Sequence, residues 1–284
     1  MPSDEYRMIR NTWTAVRFGV IGLVVMGVVS VPWSVCAVAN LRLFPRVPWA
    51  IPVTIVYLFL VTIYLGGRGW PASTRELRRR HLRARMPAPW PSIWSLLAGG
   101  AAIAALWFVF AAVGGFEGQV TPGREATFGR TVLLASVIVS AAVTAIGEEA
   151  GLRGFMQAPL EARLGPAPAI AATTVAFVVI HAGRGISRLL YMSPFYVATG
   201  VVYGLLAYLT QSTLPSIVLH FLGDTVVFAL RSSLIRFPAL EARPSSGFCT
   251  AAAVLAIGVS VVAFKQLVSI TAPIRDGSDA TSTV

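Results

Sequence analysis

Charge is scarce in this chain. Asp, Glu, Lys and Arg make up 12% of its 284 residues, against about 25% in a soluble domain. With 56% hydrophobic residues, that deficit excludes a soluble globular protein and a protein with a single anchor. The length suits one polytopic, all-α helical bundle and leaves little for a separate soluble domain. Acids are the scarcer sign, 12 against 23 basic residues, and the net charge of +11 comes mostly from arginine. In a membrane protein such an excess marks cytoplasmic loops, so the lipid bilayer is the expected surrounding and no nucleic-acid partner is expected. Cysteine is nearly absent: Cys36 and Cys249 both lie in apolar segments, which excludes a disulfide framework or a Cys-x-x-Cys metal site. Histidine occurs three times. His81 lies in an arginine-rich loop and is expected to be solvated, whereas His181 and His220 lie in apolar segments.

What the chain does have is long apolar runs. A transmembrane helix needs about 20 such residues, and eight candidate spans are expected: 15–39, 49–65, 92–113, 131–152, 166–183, 194–210, 213–230 and 248–269. The first has Arg7, Arg10 and Arg17 before it and Ala37-Val38-Ala39 near its end, as a signal peptide would. Its apolar stretch exceeds the usual h-region of about 7–15 residues, so it is read as a retained membrane helix. Residues 68–85 hold Arg68, Arg75, Arg78, Arg79, Arg80, Arg83 and Arg85 against one acid, Glu76. That loop is expected in the cytoplasm, and eight spans place both termini there too. The loops at 116–130 and 231–243 carry arginine on the opposite side, so the rule is not obeyed cleanly. Three parts are expected: 1–90 with the first spans and the basic loop, a bundle core at 91–270, and a disordered tail at 271–284.

The exceptions to apolarity sit inside the spans. Glu148-Glu149-Ala150-Gly151-Leu152-Arg153 follows the apolar run 131–146. A charge at membrane depth costs roughly 2.5–3.5 kcal/mol on insertion scales, so such groups are kept where they have partners or a task. Glu149 and Arg153 are i and i+4, on one face of an α-helix, and are expected to pair as structural support. Glu148 points about 100° away and is left available for chemistry. Phe177 and His181 share the i, i+4 spacing, as do His220 and Asp224, so Asp224 is placed to orient the His220 imidazole. Gly165-Pro166 breaks the helix between the fourth and fifth spans. Two antiparallel arms joined there bring Glu148 and His181 to nearly one height, with Gly154, Ala167, Ala169, Ala171 and Ala172 allowing close helix contact. His220 lies only a few residues from the turn before its own span, so it matches that height only if residues 155–164, which include Gln157, Glu161 and Arg163, extend past the bilayer.

The three elements Glu-Glu-x-x-x-Arg, Phe-x-x-x-His and His-x-x-x-Asp, read here as Glu148–Arg153, Phe177–His181 and His220–Asp224, resemble the signatures of the CAAX-protease and bacteriocin-processing (CPBP) intramembrane peptidases, which include the type II CAAX prenyl endopeptidases. The likeness covers about residues 131–230. It implies a helical-bundle endopeptidase acting on membrane-associated peptides or proteins. By that resemblance Glu148 activates the water, aided by His181, while His220 and Asp224 hold the scissile carbonyl and its oxyanion. An ionised Asp224 would repel an oxyanion, so it orients His220 or carries a proton.

Physical chemistry runs beside the resemblance. Amide hydrolysis needs an activated water and stabilisation of developing negative charge. A metal-free glutamic mechanism is the reading favoured. Glu148, His181, His220 and Asp224 are also ligand types that hold catalytic zinc, although no His-Glu-x-x-His motif is present. Two other functions compete: a non-catalytic immunity or scaffold protein of the same fold, and a proton-coupled transporter using the same groups as a relay.

Overall fold

The computed structural model describes residues 4–113, 129–232, 234 and 245–280. The loops at 116–130 and 231–243, invoked above for their arginines, lie almost entirely outside the described residues. Among the described residues all regular structure is helical. In chain order the helices are α1 (Asp4–Leu43), α2 (Ala50–Leu65), α3 (Arg75–Leu82), α4 (Pro89–Ala112), α5 (Arg130–Glu148), a π-helical segment (Glu149–Gln157), α6 (Ala158–Leu164), α7 (Pro166–Ile180), α8 (Ile186–Thr210), α9 (Leu214–Arg231) and α10 (Ser246–Ala280). Among the described residues seven helical stretches are long and apolar enough to cross a membrane; α5, the π segment and α6 form one of them, 35 residues without interruption. The eighth expected crossing, α2, is apolar but only 16 residues long. The protein is a multi-pass integral membrane protein. Its last helix continues to Ala280, past the point at 271 where the tail was expected to begin. Once a helix is nucleated, each further residue adds a hydrogen bond at little cost.

Glycine and proline punctuate the bundle as their chemistry dictates. Gly165 at φ +86° ends α6, and Pro166 opens α7. Proline there is pre-set for a helix and lacks only an N–H that would have no partner. Gly185 at φ +98° separates the turn after α7 from α8. Such angles strain any residue with a Cβ.

Three close approaches set the frame around the π segment. Against α1, a Cβ on Gly22 would stand 2.6 Å from the Gly151 carbonyl oxygen, and one on Gly151 would stand 2.5 Å from that of Gly22. Backbone meets backbone where glycines pair, as at small-residue crossings in membranes. Gly154 faces α3, not α7 as expected: its Cβ would meet the His81 carbonyl oxygen at 3.2 Å. Of the four alanines expected to line that contact, Ala169 is buried, Ala172 is half-buried, and Ala167 and Ala171 are exposed. The work of close packing against α7 falls to α8 instead. A Cβ on Gly200 would lie 3.0 Å from Thr174 Cγ2, and one on Gly204 would lie 2.9 Å from Ile170 Cγ2.

The basic loop is built, not merely solvated. Arg78 is buried; it donates to the carbonyls of Tyr64, Arg68, Gly69 and Pro71 and to the Thr74 hydroxyl, and lies over the Tyr64 ring at 4.2 Å. His81 is half-buried, edge-on to Phe155 at 5.6 Å and Phe18 at 6.1 Å. This corrects the expectation of a solvated side chain; the covering rings come from α1 and the π segment. Burial holds its imidazole below the ordinary value of 6.5, and the Arg83 charge acts in the same direction. Arg83 closes the loop on the bundle, binding Glu161 at 2.6 Å and the Ala158 carbonyl at 3.3 Å. Its own carbonyl accepts from the Thr213 N–H at 3.2 Å, and Leu82 O accepts from the Thr213 hydroxyl at 2.8 Å. The polar end of the α5–α6 arm and the start of α9 therefore meet at one loop.

Candidate active site

The Glu-Glu-x-x-x-Arg stretch begins where α-helix passes into π-helix. Glu148 is the last residue of α5, and the nine residues from Glu149 to Gln157 are all buried. A π turn bonds i to i+5 and is frequent at functional sites. It advances each residue by less than the α-helical 100°, so a wheel drawn for an α-helix misplaces the side chains that follow Glu148.

Glu149 and Arg153 do pair, at 3.1 Å, both fully buried. The same Glu149 oxygen also accepts from Nδ1 of His220 at 2.9 Å. Asp224, expected as the imidazole's partner, stands farther off: Nε2 of His220 to Oδ2 of Asp224 is 3.6 Å, an ion-pair distance and not a hydrogen bond. The nearest carboxylate to His220 is thus the one read as purely structural. Arg153 is further held by the Gly200 carbonyl at 3.1 Å and lies over the rings of Phe177 at 4.9 Å and Tyr203 at 5.4 Å. Planar guanidinium suits both kinds of contact.

Glu148 is different. It is half-buried, its Oε2 is shielded from solvent, and that oxygen has no hydrogen-bond partner among the described residues. It lies within range of the charges of His220, Asp224 and Arg153.

Phe177 joins the two histidines. Its ring is 4.8 Å from His181 and 6.2 Å from His220. It stands 12 residues after Gly165 and contacts Arg153, 12 residues before it, so the two arms of the hairpin run level. The Phe177 carbonyl accepts from His181 Nδ1 at 2.7 Å. Since a carbonyl only accepts, the proton is on Nδ1, and Nε2 is the basic nitrogen. Tyr196 stacks on His181 at 4.1 Å and Tyr203 on His220 at 5.3 Å.

Sequence reading missed both tyrosines, and it missed Gln157 as a site-holding residue. Gln157 donates to Gly204 O at 2.8 Å and to Glu161 at 2.7 Å. The pattern Gly200-Val-Val-Tyr-Gly204 was a usable signal, being a small-xxx-small motif.

Glu148, His181, His220 and Asp224 are also ligand types for zinc. Among the described residues no three of His, Cys, Asp or Glu are grouped to hold a metal ion. His220 Nδ1 is bound to a glutamate that also binds a guanidinium, which leaves Nε2 as the nitrogen that can face a ligand.

The fold and these side chains define an all-α polytopic membrane protein with ionisable groups gathered inside its bundle. Residues 130–226 match the Rce1-like family model, described as type II CAAX prenyl endopeptidase Rce1-like. Over these residues the chain is similar to the CAAX-protease and bacteriocin-processing family. No curated protein and no solved structure matches the chain.

Proposed function

We propose that this protein is a metal-free, glutamic-type intramembrane endopeptidase that cleaves membrane-associated polypeptides. The observation that carries the reading is the division of labour between adjacent glutamates. Both keep a shielded Oε2 without a hydrogen-bond partner among the described residues, but Glu149 is committed through Oε1 to Arg153 and His220, whereas no such bond ties Glu148. A carboxylate so placed takes a proton from water. In this reading Glu148 draws that proton as the water oxygen attacks the scissile carbonyl carbon. His181, basic at Nε2, orients the water and shares the proton on its way to the leaving amine. His220, anchored through Nδ1, turns Nε2 and Asp224 toward the carbonyl oxygen, and a proton held there donates to the oxyanion. Glu149, Arg153 and Phe177 hold the imidazoles.

A proton relay is the reading closest in kind, because Glu149, Arg153, Gln157 and Glu161 form a row along the α5–α6 arm, with Arg83 of the basic loop bound to Glu161 at its end. One arginine interrupts that row and another ends it, and guanidinium does not give up its proton in a protein. The row serves as a scaffold.

The test is a proteomic comparison of membranes carrying wild-type protein or Glu148→Gln at equal abundance. Uncleaved precursor should accumulate in the variant and mature product in wild type. Identical peptide profiles, with Glu148→Gln still processing any substrate found, would overturn the assignment.

A further inference from the structure

α8 contains none of the residues tied above to chemistry, yet it touches both imidazoles. Tyr196 and Tyr203 are seven residues apart, two turns of an α-helix, and so lie on one face of α8. Both are buried. Tyr196 stacks on His181 with centroids 4.1 Å apart and planes at 29°; Tyr203 stacks on His220 at 5.3 Å and 22°. Near-parallel, offset rings are a preferred aromatic arrangement. In both histidines the opposite constraint is in the ring plane: Nδ1 is bound to the Phe177 carbonyl in one and to Glu149 in the other. A ring stacked on its face keeps the imidazole in the plane from which Nδ1 reaches its partner, and so fixes where Nε2 points.

The register of α8 is itself locked. Gly200 and Gly204 allow the helix so close that Arg153 and Gln157, one turn apart on the π segment, donate to their carbonyls at 3.1 and 2.8 Å. On the other side the Ser216 hydroxyl donates to the Tyr203 carbonyl at 3.0 Å, one turn before His220 on α9. The element that carries both rings is therefore held from two sides at the level of the rings.

We propose that Tyr196 and Tyr203 are the positioning residues of the two histidines, α8 acting as a template that sets both Nε2 directions at once. This rests on the peptidase reading. It deepens that reading by making the face of α8, and not the three motifs alone, part of the working site. The property used is the aromatic face and not the hydroxyl.

The experiment uses purified full-length protein in nanodiscs, with Tyr→Phe and Tyr→Leu variants at each position and a fluorogenic farnesylated peptide ending in Cys-aliphatic-aliphatic-X as substrate. Leucine should lower kcat on the order of 100-fold, the loss that about 1 Å of misplacement can bring, with KM little changed. Phenylalanine should restore the rate to within about threefold of wild type, since ring faces stack alike. Histidine-labelled protein gives the second readout, independent of turnover. Wild type and Tyr196→Phe should show His181 as one tautomer protonated at Nδ1, and Tyr196→Leu should show both. A leucine variant with wild-type kcat and a single tautomer would overturn the proposal, as would a phenylalanine variant as impaired as leucine. Were Glu148→Gln to cleave like wild type, the peptidase reading would fail by itself. The tautomer result would still decide what Tyr196 does.

Discussion

Glu149 and His220 are bound to each other at 2.9 Å, through the same carboxylate oxygen that holds Arg153 at 3.1 Å. One buried oxygen thus ties the first motif to the third and fixes α9 to the π segment. It follows that the paired glutamates are unequal in kind. Glu149→Gln weakens a charged hydrogen bond to His220 and leaves Arg153 as an uncompensated charge at 0% exposure. Breaking one partner of such a pair costs about 3–5 kcal/mol.

The first prediction concerns this pair of neighbours. Glu149→Gln should lower thermal stability strongly in detergent, with activity falling as the fold does. Glu148→Gln should melt at or near the wild-type temperature and cleave nothing, since no partner is lost at its shielded oxygen. Differential scanning fluorimetry together with a cleavage assay separates the two. Equal losses of stability would remove the distinction.

Some of this was readable beforehand. The Gly165-Pro166 turn, the Glu149–Arg153 pair and the motif spacings needed only local rules: helix breakers, i, i+4 neighbours and apolar length. What stayed hidden depends on register between elements. The bond from His220 to Glu149 needs α9 at a particular height and a π segment that turns Glu149 toward it, and no propensity announces a π turn. The height itself comes from Arg83, which binds Glu161 by its side chain and Thr213 by its carbonyl. His81 was misread for the same reason. Its neighbours Phe18 and Phe155 are remote in sequence, and composition describes only the arginines beside it.

The second prediction is a pH dependence from His81, which lies outside the membrane helices. Burial holds its folded-state value below 6.5, with Arg83 contributing. The unfolded chain therefore takes up the proton first as pH falls. Stability from neutral His81 is complete above about 6.5 and is lost as pH drops through that value toward the lower folded one. Thermal midpoints measured between about pH 8 and 5 should fall less steeply for His81→Gln than for wild type. The difference between the two curves isolates His81 from other titrating groups. Parallel curves would mean the imidazole is as free as in the unfolded chain.

The third prediction is topological. The arginines of residues 68–85 are expected on the cytoplasmic side, with both termini on the same side. That outcome depends on α2, whose 16 residues reach only about 24 Å against a hydrocarbon core of about 30 Å. If α2 crosses, the membrane thins there or flanking side chains reach out to the interface. With Cys36 and Cys249 replaced, a cysteine at exposed Ser73 should resist an impermeant reagent in intact cells and react after permeabilisation, and one near the N-terminus should behave alike. Labelling at Ser73 from outside would reverse the whole orientation. Opposite behaviour of the two sites would show that α2 does not cross.

The fourth prediction concerns metal. In the glutamic mechanism Glu148 is the base, so cleavage should survive exhaustive chelation, and purified protein should retain activity with zinc far below one equivalent. Glu148→Asp withdraws the carboxylate by one methylene; a displacement of roughly 1 Å can cost about 100-fold, so that variant should be folded and nearly inactive. A zinc mechanism makes a different pattern: chelation abolishes turnover, added zinc restores it, and His181→Ala and His220→Ala each release bound metal. His220 and His181 each have Nδ1 bound, to Glu149 and to a backbone carbonyl, so either mechanism would use their Nε2; among the described residues no group of three His, Cys, Asp or Glu side chains is placed to hold a metal ion. Stoichiometric zinc whose loss tracks the loss of cleavage would transfer water activation from Glu148 to the metal. His220 would then meet the metal through Nε2, its Nδ1 keeping the bond to Glu149.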